Sequence, residues 1–565
     1  MMLSGEGGTG KSFLIEAVDR FTKLTFPAPK GSEHESCIIA APTGKAALNV
    51  NGHTIEHLFN FPYLSQKNRS LSEPGVQKYY QDKFGHVQLL ILDEVSMMGL
   101  SKLHKIHQIL SCAKAYDQDS SSADFQSPNT HNVPQHELPL GGMHFLFCGD
   151  FYQLDPVKDT TLYSQKFKGV KDEIASEMVY KQIDTYMELK QQMRQKGRDI
   201  EEDQFRSFLS HIRKGQATEQ DLAYLKDTNK YCVSLDDVSI RNLPNSETLT
   251  VTPFNGTENT YGCEQVNAYK LQQRRRNADV SCIIWAKHTY TTSYAKHGKK
   301  RKKTHPRADR NLVALMHQAN DAKLQSKVTL SRGTRVMLRQ NLSVADGLVN
   351  GSLGTVHSII WPKHLQKNIR IDIDSIEKAA ERNQTPPIVL VKFDSLPSHV
   401  ESFTKDEQNV IPIAPQTAKI RCETGLSVTR HMVPLIQADC VTIHKSQGQS
   451  VKNLVCVLNR MKRTRGLFYV AASRTTSSKG LFLVKTACMQ PALLQLSDFN
   501  GEKPDTYKSI HEEYARLDKI PHQNLQRIGE RIGNRNFLAD LLNMNTYMND
   551  DDADDFLASS SNDEM

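Results

Sequence analysis

Two clusters in the first hundred residues combine the side chains that handle phosphate. Gly5, Gly7, Gly8 and Gly10, interleaved with Glu6 and Thr9, run into Lys11 and Ser12 and fit G-x-x-x-x-G-K-[ST]. Glycines so placed let backbone N–H groups turn inward around phosphate oxygens at a helix start. Lys11 would then meet the β- and γ-phosphates of a nucleotide, and Ser12 a magnesium ion. Downstream, the apolar run Leu89, Leu90, Ile91, Leu92 leads straight into Asp93 and Glu94. Carboxylates at the carboxyl end of a buried strand stand where α/β sheets keep their ligands. Asp93 is expected to hold the metal ion and Glu94 to polarise an attacking water, which suits hydrolysis better than transfer to a substrate hydroxyl. A third apolar run ends at Cys148, Gly149 and Asp150 and is followed by Gln153. That neutral side chain either senses the γ-phosphate or closes a polar turn, and spacing alone leaves both open.

Such groups need a sheet to carry them. Apolar runs at residues 37–41, 88–92, 145–148, 454–458 and 480–484 each precede or follow turn residues, as parallel strands covered on both faces do. After the first glycine loop, Phe13, Leu14, Ala17, Val18, Phe21 and Leu24 recur at helical spacing, which predicts an amphipathic helix. Strand, loop and helix in this order make an α/β nucleotide-binding core. A chain of 565 residues exceeds one ordinary core, so at least two domains are expected.

Composition narrows the function classes. No stretch approaches the length of apolar sequence that a membrane-spanning helix needs, and the first residues lack a leader pattern, so membrane and secreted readings fall. The ten cysteines are scattered with no C-x-x-C pair, against a disulfide framework or zinc ribbon. His53 and His57 have i, i+4 spacing but no third ligand nearby. The net charge is +8, yet residues 550–565 hold seven acids and no base, leaving 71 basic against 56 acidic side chains in the body. A body this basic suits a polyanion, and the acidic tail reads as a disordered segment open to protein partners.

The far half of the chain decides among phosphate-loop families. IHKSQGQS (residues 443–450) and YVAASRTTS (469–477) lie more than 400 residues beyond the phosphate loop, and a simple kinase or GTPase has no such second motif-bearing domain. With APTGKAALN (41–49), GHTIEHLF (52–59), LILDEVSMM (90–98), GDFYQLDPV (149–157), LKQQMRQ (189–195) and GLVNGSLGTV (347–356), they run in order over nearly the whole chain. Together they closely resemble the Pif helicases, superfamily-1 motors related to the RecD helicases.

The resemblance implies an α/β chain with two RecA-like motor domains built on parallel sheets, plus small inserted wedge and β-barrel elements. It implies ATP and Mg2+ between the motor domains and single-stranded or partly duplex DNA, bound without sequence preference, across their tops. On this plan the first motor domain is residues 1–190, with the wedge at about 61–85 and a loop insertion at 116–142. The second is 191–355 with 434–500, interrupted by a β-barrel at 356–433. A helical extension at 501–548 and the acidic tail at 549–565 follow. Arg194 and Arg474 would reach the γ-phosphate from across the cleft, a task for which a planar guanidinium that stays charged is suited. Gln447 and Gly448 join the nucleotide site. Thr43, Lys45, His57, Phe59, His444 and Ser446 would face the DNA strand or couple it to ATP, and Tyr63, Tyr79 and Tyr80 of the wedge are candidates for stacking.

Three features stand apart from the pattern. Residues 1–4 supply only a stub of the first strand and lack the upstream adenine-reading glutamine of similar helicases, so either the sequence is cut just before the phosphate loop or adenine is read in some other way. Asp155 stands where that family carries proline. The basic run 299–303 reads as a nuclear-localisation signal, a phosphate-contacting loop or a charged hairpin. The expected activity is 5′-to-3′ unwinding of DNA in repair or recombination, in the nucleus. The competing reading is an ATP-responsive nucleic-acid-binding protein, a mobile-element remnant that no longer unwinds.

Overall fold

The computed structural model describes residues 1–520 apart from position 33 and the stretches 62–69, 116–137, 165–176, 178, 228–230, 233–234, 257–261, 277–280, 297–298, 306–323, 363–384, 422–426, 459–464, 486–494 and 502–505. Tyr63, most of the 116–142 insertion, the extension beyond residue 520 and the acidic tail therefore lie outside the described residues.

By its internal contacts the chain divides into two units. The first comprises Met1–Pro42, Val50–Arg198 and the described residues after Phe499. Its strands are β1 (Met2–Gly5), β2 (Cys37–Ala41), β3 (His53–Thr54), β4 (Leu89–Leu92), β5 (His144–Gly149) and β6 (Tyr186–Leu189), in the order β3-β2-β4-β5-β1-β6. All pairings are parallel. Alternate residues feed two cores, since successive side chains of a strand point to opposite faces. Met2, Ile38, Ala40, Leu90, Leu92 and Phe147 enter one core, and Leu3, Cys37, Ile39, Ile91, Leu146 and Cys148 the other. This double coverage is why the strands read as continuous apolar runs. The amino-terminal stub forms a four-residue strand inside the sheet: β1 pairs with both β5 and β6, and the Met1 ammonium donates to the Phe145 carbonyl at 3.2 Å.

The helix Lys11–Thr25 forms where its periodicity predicts, but it turns a different face inward. Ile15, Asp19 and Thr22 are its buried residues, while Phe13, Phe21 and Leu24 are 70%, 57% and 84% exposed. At 3.6 residues per turn these two stripes lie on roughly opposite sides of the helix. Leu14 and Val18, between them, pack on the sheet core as partly buried side chains.

The second unit holds Thr43–Asn49 and Asp199–Phe499. Its sheet runs Val441–Thr442, Thr248–Thr252, Asn453–Leu458, Leu481–Lys485, Tyr231–Cys232, again all parallel. A β-rich body joins it: a five-stranded antiparallel sheet of Val410–Ile413, Ile388–Phe393, Leu353–Ile360, Arg335–Leu338 and Leu435–Gln437, a four-stranded sheet and a two-stranded one. This body begins at Ser281 and ends at Gln437, so the expected barrel boundary of residues 356–433 falls inside the strand Leu353–Ile360. The run 299–303 sits on the strand Lys299–His305, paired with Lys287–Lys296, so its backbone is one arm of a hairpin.

Two further boundaries move. The first unit extends to Arg198 and takes back the helix Lys508–Leu517, and the short helix Gly44–Asn49 belongs by contact to the second unit. Among the described residues seven cysteines are free, and no helix is long and apolar enough to cross a membrane.

Candidate nucleotide and nucleic-acid site

The phosphate loop joins β1 to the helix Lys11–Thr25. Gly10 is the left-handed residue that opens this helix, at φ 88°, and Gly8 has φ 95°. Both values favour glycine because an L side chain there meets its own backbone. Gly8 is also constrained from outside, since a Cβ at this position would run into the side chains of Gln192 and Arg194. The Lys11 ammonium donates to the carbonyls of Gly5 and Glu6 at 2.7 Å each, and the Thr9 hydroxyl donates to Glu6 at 3.0 Å. The loop is thus folded around its own lysine, with Ser12 exposed beside it.

β4 delivers Asp93 to the same unit, its N–H donating to the Ala40 carbonyl of β2 at 2.9 Å. Burial first, then the charge of Glu94, pushes the Asp93 carboxyl up to about 7. A buried acid so disfavoured as an anion is suited to a bound cation, which would restore its charge. Glu94 adopts φ 51°, left-handed for a residue with a side chain, and its carbonyl accepts the Met97 N–H at 3.0 Å. Such strain, of order 1–3 kcal/mol, clusters at working sites. Among the described residues no cluster of three His, Cys, Asp or Glu side chains forms a metal site of its own, so a metal here would need phosphate and hydroxyl oxygens as well.

Gln153 lies in the turn after β5, 2% exposed, with its N–H bonded to the Asp150 carbonyl at 3.0 Å. Asp155, which takes the place of the family's proline, accepts the Tyr163 hydroxyl at 2.7 Å.

The segment after β6 returns to the phosphate loop. Met193 N–H donates to Gly8 O at 2.7 Å, Gln192 Nε2 to Gly7 O at 3.1 Å, and Arg194 N–H to Gln192 Oε1 at 3.2 Å. Arg194 therefore belongs to the phosphate loop's own unit, not to the opposite one as expected. Gln192 was not among the expected site residues. Its signal was the glutamine-rich stretch before Arg194, which offers amides to loop carbonyls.

In the second unit the expected residues separate into two groups. His444 is exposed, and Lys45 and Lys445 are half-buried, with burial holding both ammonium groups below the usual lysine range. Thr43 Oγ1 accepts the Ala46 N–H at 3.2 Å. Asn49 Nδ2 donates to Gly448 O at 2.6 Å, and Gly44 fits closely against the Asn350 carbonyl, tying this helix to the loops around 350 and 448. Gly448 has φ 77° and Gln447 is buried. Arg474 and Ser446, by contrast, turn inward. Arg474 is 1% exposed, and its guanidinium donates to Val470 O at 2.9 Å, Ser473 Oγ at 3.0 Å and Gln449 O at 3.5 Å. Ser446 is fully buried and donates to Ile443 O at 2.7 Å. In this arrangement both brace their own motifs.

The aromatic candidates of the first unit are corrected as well. His57 is exposed, but Phe59 is fully buried, stacked on Phe84 at 5.3 Å, and its carbonyl accepts the hydroxyl of the equally buried Tyr80 at 3.0 Å. Tyr79 packs partly buried against the same core. The helix Pro74–Phe84 within the expected wedge thus spends its aromatics on the core. Phe59→Ala should cost about 3–5 kcal/mol in denaturant unfolding, whereas a DNA-stacking Phe59 would leave stability unchanged.

Residues 1–223 match the sequence model of the PIF1-like helicases. The chain is 25% identical over 505 residues to the ATP-dependent DNA helicase PIF1 of Xenopus laevis, which covers 88% of this chain and 61% of that relative. It spans less than two thirds of the length of that relative. The fold is similar to the crystal structure of Pif1 helicase from Candida albicans, with TM-score 0.55, 22% identity and coverage of 92% of this chain and 95% of that one. It is also similar to Pif1 helicase from Bacteroides in complex with ADP-AlF3 and single-stranded DNA, with TM-score 0.54, 20% identity and coverage of 92% and 93%. Over residues 1–223 the chain is thus similar to the PIF1-like helicases, and it carries the fold of the solved Pif1 helicases.

Proposed function

We propose that the chain is an ATP-dependent DNA helicase that moves 5′ to 3′ along single-stranded DNA and serves genome maintenance in the nucleus. The observation that carries the reading is one unit in which phosphate loop, Asp93–Glu94 strand end and Gln153 turn come from neighbouring strands of one parallel sheet. A second parallel-sheet unit bears the His444 and Arg474 motifs. Lys11 and the loop N–H groups bind the phosphates, while Ser12 and Asp93 hold Mg2+, which supplies charge neutralisation at the phosphoryl group. Glu94 takes the proton of the attacking water, and Gln153 reports the γ-phosphate. Arg194 meets phosphate from the segment clamped on Gly8. Thr43, Lys45, His57 and His444 offer accessible or half-buried polar groups for a DNA backbone, and the β-rich body between Ser281 and Gln437 is the surface against which the strand is held.

A basic body favours binding through phosphate contacts, without sequence preference. Single-stranded DNA should stimulate ATP hydrolysis regardless of sequence, and its affinity should fall steeply between about 50 and 200 mM salt as phosphate contacts release counterions. ATP hydrolysis indifferent to DNA would overturn the reading.

A further inference from the structure

The helix Lys508–Leu517 lies in the first unit, far along the chain from that unit's other motifs, the last of which ends at Gln195. Its buried stripe, Ile510, Glu513, Tyr514 and Leu517, enters the core that also holds Phe151, Tyr152 and Tyr180. The Tyr514 ring stacks on Tyr152 with centroids 4.9 Å apart and planes 11° from parallel. Its hydroxyl accepts the Phe151 N–H at 3.1 Å and donates to Asp150 Oδ1 at 3.3 Å. The same Asp150 oxygen accepts the Tyr152 N–H at 3.1 Å, and the Asp150 carbonyl accepts the Gln153 N–H at 3.0 Å. One phenol thus fixes two successive residues of the turn that presents Gln153.

The helix is itself held in place from behind. Tyr180 donates its hydroxyl to Glu513 Oε1 at 2.7 Å, and Arg516 binds the same carboxylate through Nε at 3.0 Å and Nη2 at 2.7 Å. Arg516 lies in the same helix and turns with Glu513, so of these bonds it is the one from Tyr180 that ties the helix to the rest of the core. No bulk requirement explains a hydroxyl at Tyr514, since a phenyl ring would fill the same space. The polar atom is there for the turn, where it meets a donor and an acceptor at once.

We propose that Tyr514 is a positioning residue for the Gln153 turn, so that the carboxyl-terminal helix sets the geometry in which the γ-phosphate is sensed. This rests on the ATPase reading above. Tyr514→Phe in the full chain keeps the stacked ring and removes only the hydroxyl. Single-stranded-DNA-stimulated kcat should fall on the order of 10- to 100-fold, as for a small misplacement of a reacting group. KM for ATP should stay at its wild-type value, because the phosphate loop is untouched. Amide exchange at Phe151 should quicken, since its N–H loses its partner. Tyr80→Phe removes a buried hydroxyl from the same core, where it meets the Phe59 carbonyl and not the turn, so it should lower the melting temperature while retaining kcat. Unchanged kcat in Tyr514→Phe, or equal loss of kcat in both variants, would overturn the inference and leave the ATPase reading standing. A wild type without ATPase activity would overturn that reading, and this one with it.

Discussion

Glu94→Gln should leave nucleotide binding intact and lower ATP turnover by about 10²- to 10⁴-fold, the range associated with removing a positioned general base. The substitution keeps the shape of the side chain and the backbone at φ 51°, and it leaves the Asp93 carboxyl and the Lys11 ammonium in place. Only the ability to take a proton is lost. Steady-state hydrolysis beside titration with a fluorescent nucleotide separates the two quantities. Equal turnover in wild type and Glu94→Gln would remove Glu94 from the chemistry and leave the strained turn without a catalytic purpose. The neighbouring Asp93 sharpens the contrast: its carboxyl is pushed up by burial and by Glu94, so Glu94→Gln relieves one of the two causes and should favour the ionised, metal-binding form.

The second large effect belongs to Arg194. If its guanidinium stabilises charge on the transferring phosphoryl group, Arg194→Ala should reduce turnover by about 10³-fold or more with much less loss of ATP affinity. The structure places its backbone beside Gly8, through the bonds from Met193 and Gln192 to the loop carbonyls, so the residue is carried by the loop that holds the phosphates. Gln192 shapes that loop, whereas Arg194 is assigned the charge. Weaker binding at undiminished turnover would show that Arg194 shapes the loop as Gln192 does. Arg474 differs physically: its nitrogens are engaged with Val470, Ser473 and Gln449, so its replacement disturbs its own motif before it disturbs any ligand.

Much of the scaffold was legible in the sequence because parallel strands covered on both faces betray themselves as apolar runs. The run at residues 37–41 became β2 (Cys37–Ala41), and Asp93 stands directly after β4. The phosphate loop was legible for a different reason, since glycine spacing encodes backbone geometry directly, as Gly8 and Gly10 show. Side-chain direction was less legible. Phe59 and Tyr80 are aromatic in a motif thought to meet DNA, yet burial of ring area outweighs exposure and they form core. Ser446 and Arg474 satisfy nearby carbonyls, an outcome that depends on local turn geometry and leaves no periodic trace. In the helix Lys11–Thr25 the apolar stripe was only partly the buried one: Leu14 and Val18 pack on the core beside Ile15, while Phe13, Phe21 and Leu24 are exposed. The Tyr514 contact could not be read at all, since it joins residues more than 360 positions apart and no motif marks the Tyr514 end.

The central claim is tested most directly by comparing duplexes that carry a single-stranded tail on either the 5′ or the 3′ side, with ATP and Mg2+. The proposed function predicts strand separation of the 5′-tailed duplex, none of the 3′-tailed duplex, and none of either when Glu94→Gln replaces the wild type. Opening of the 3′-tailed duplex alone would contradict the direction of movement, and failure to open either duplex while DNA still stimulates ATP hydrolysis would contradict unwinding itself.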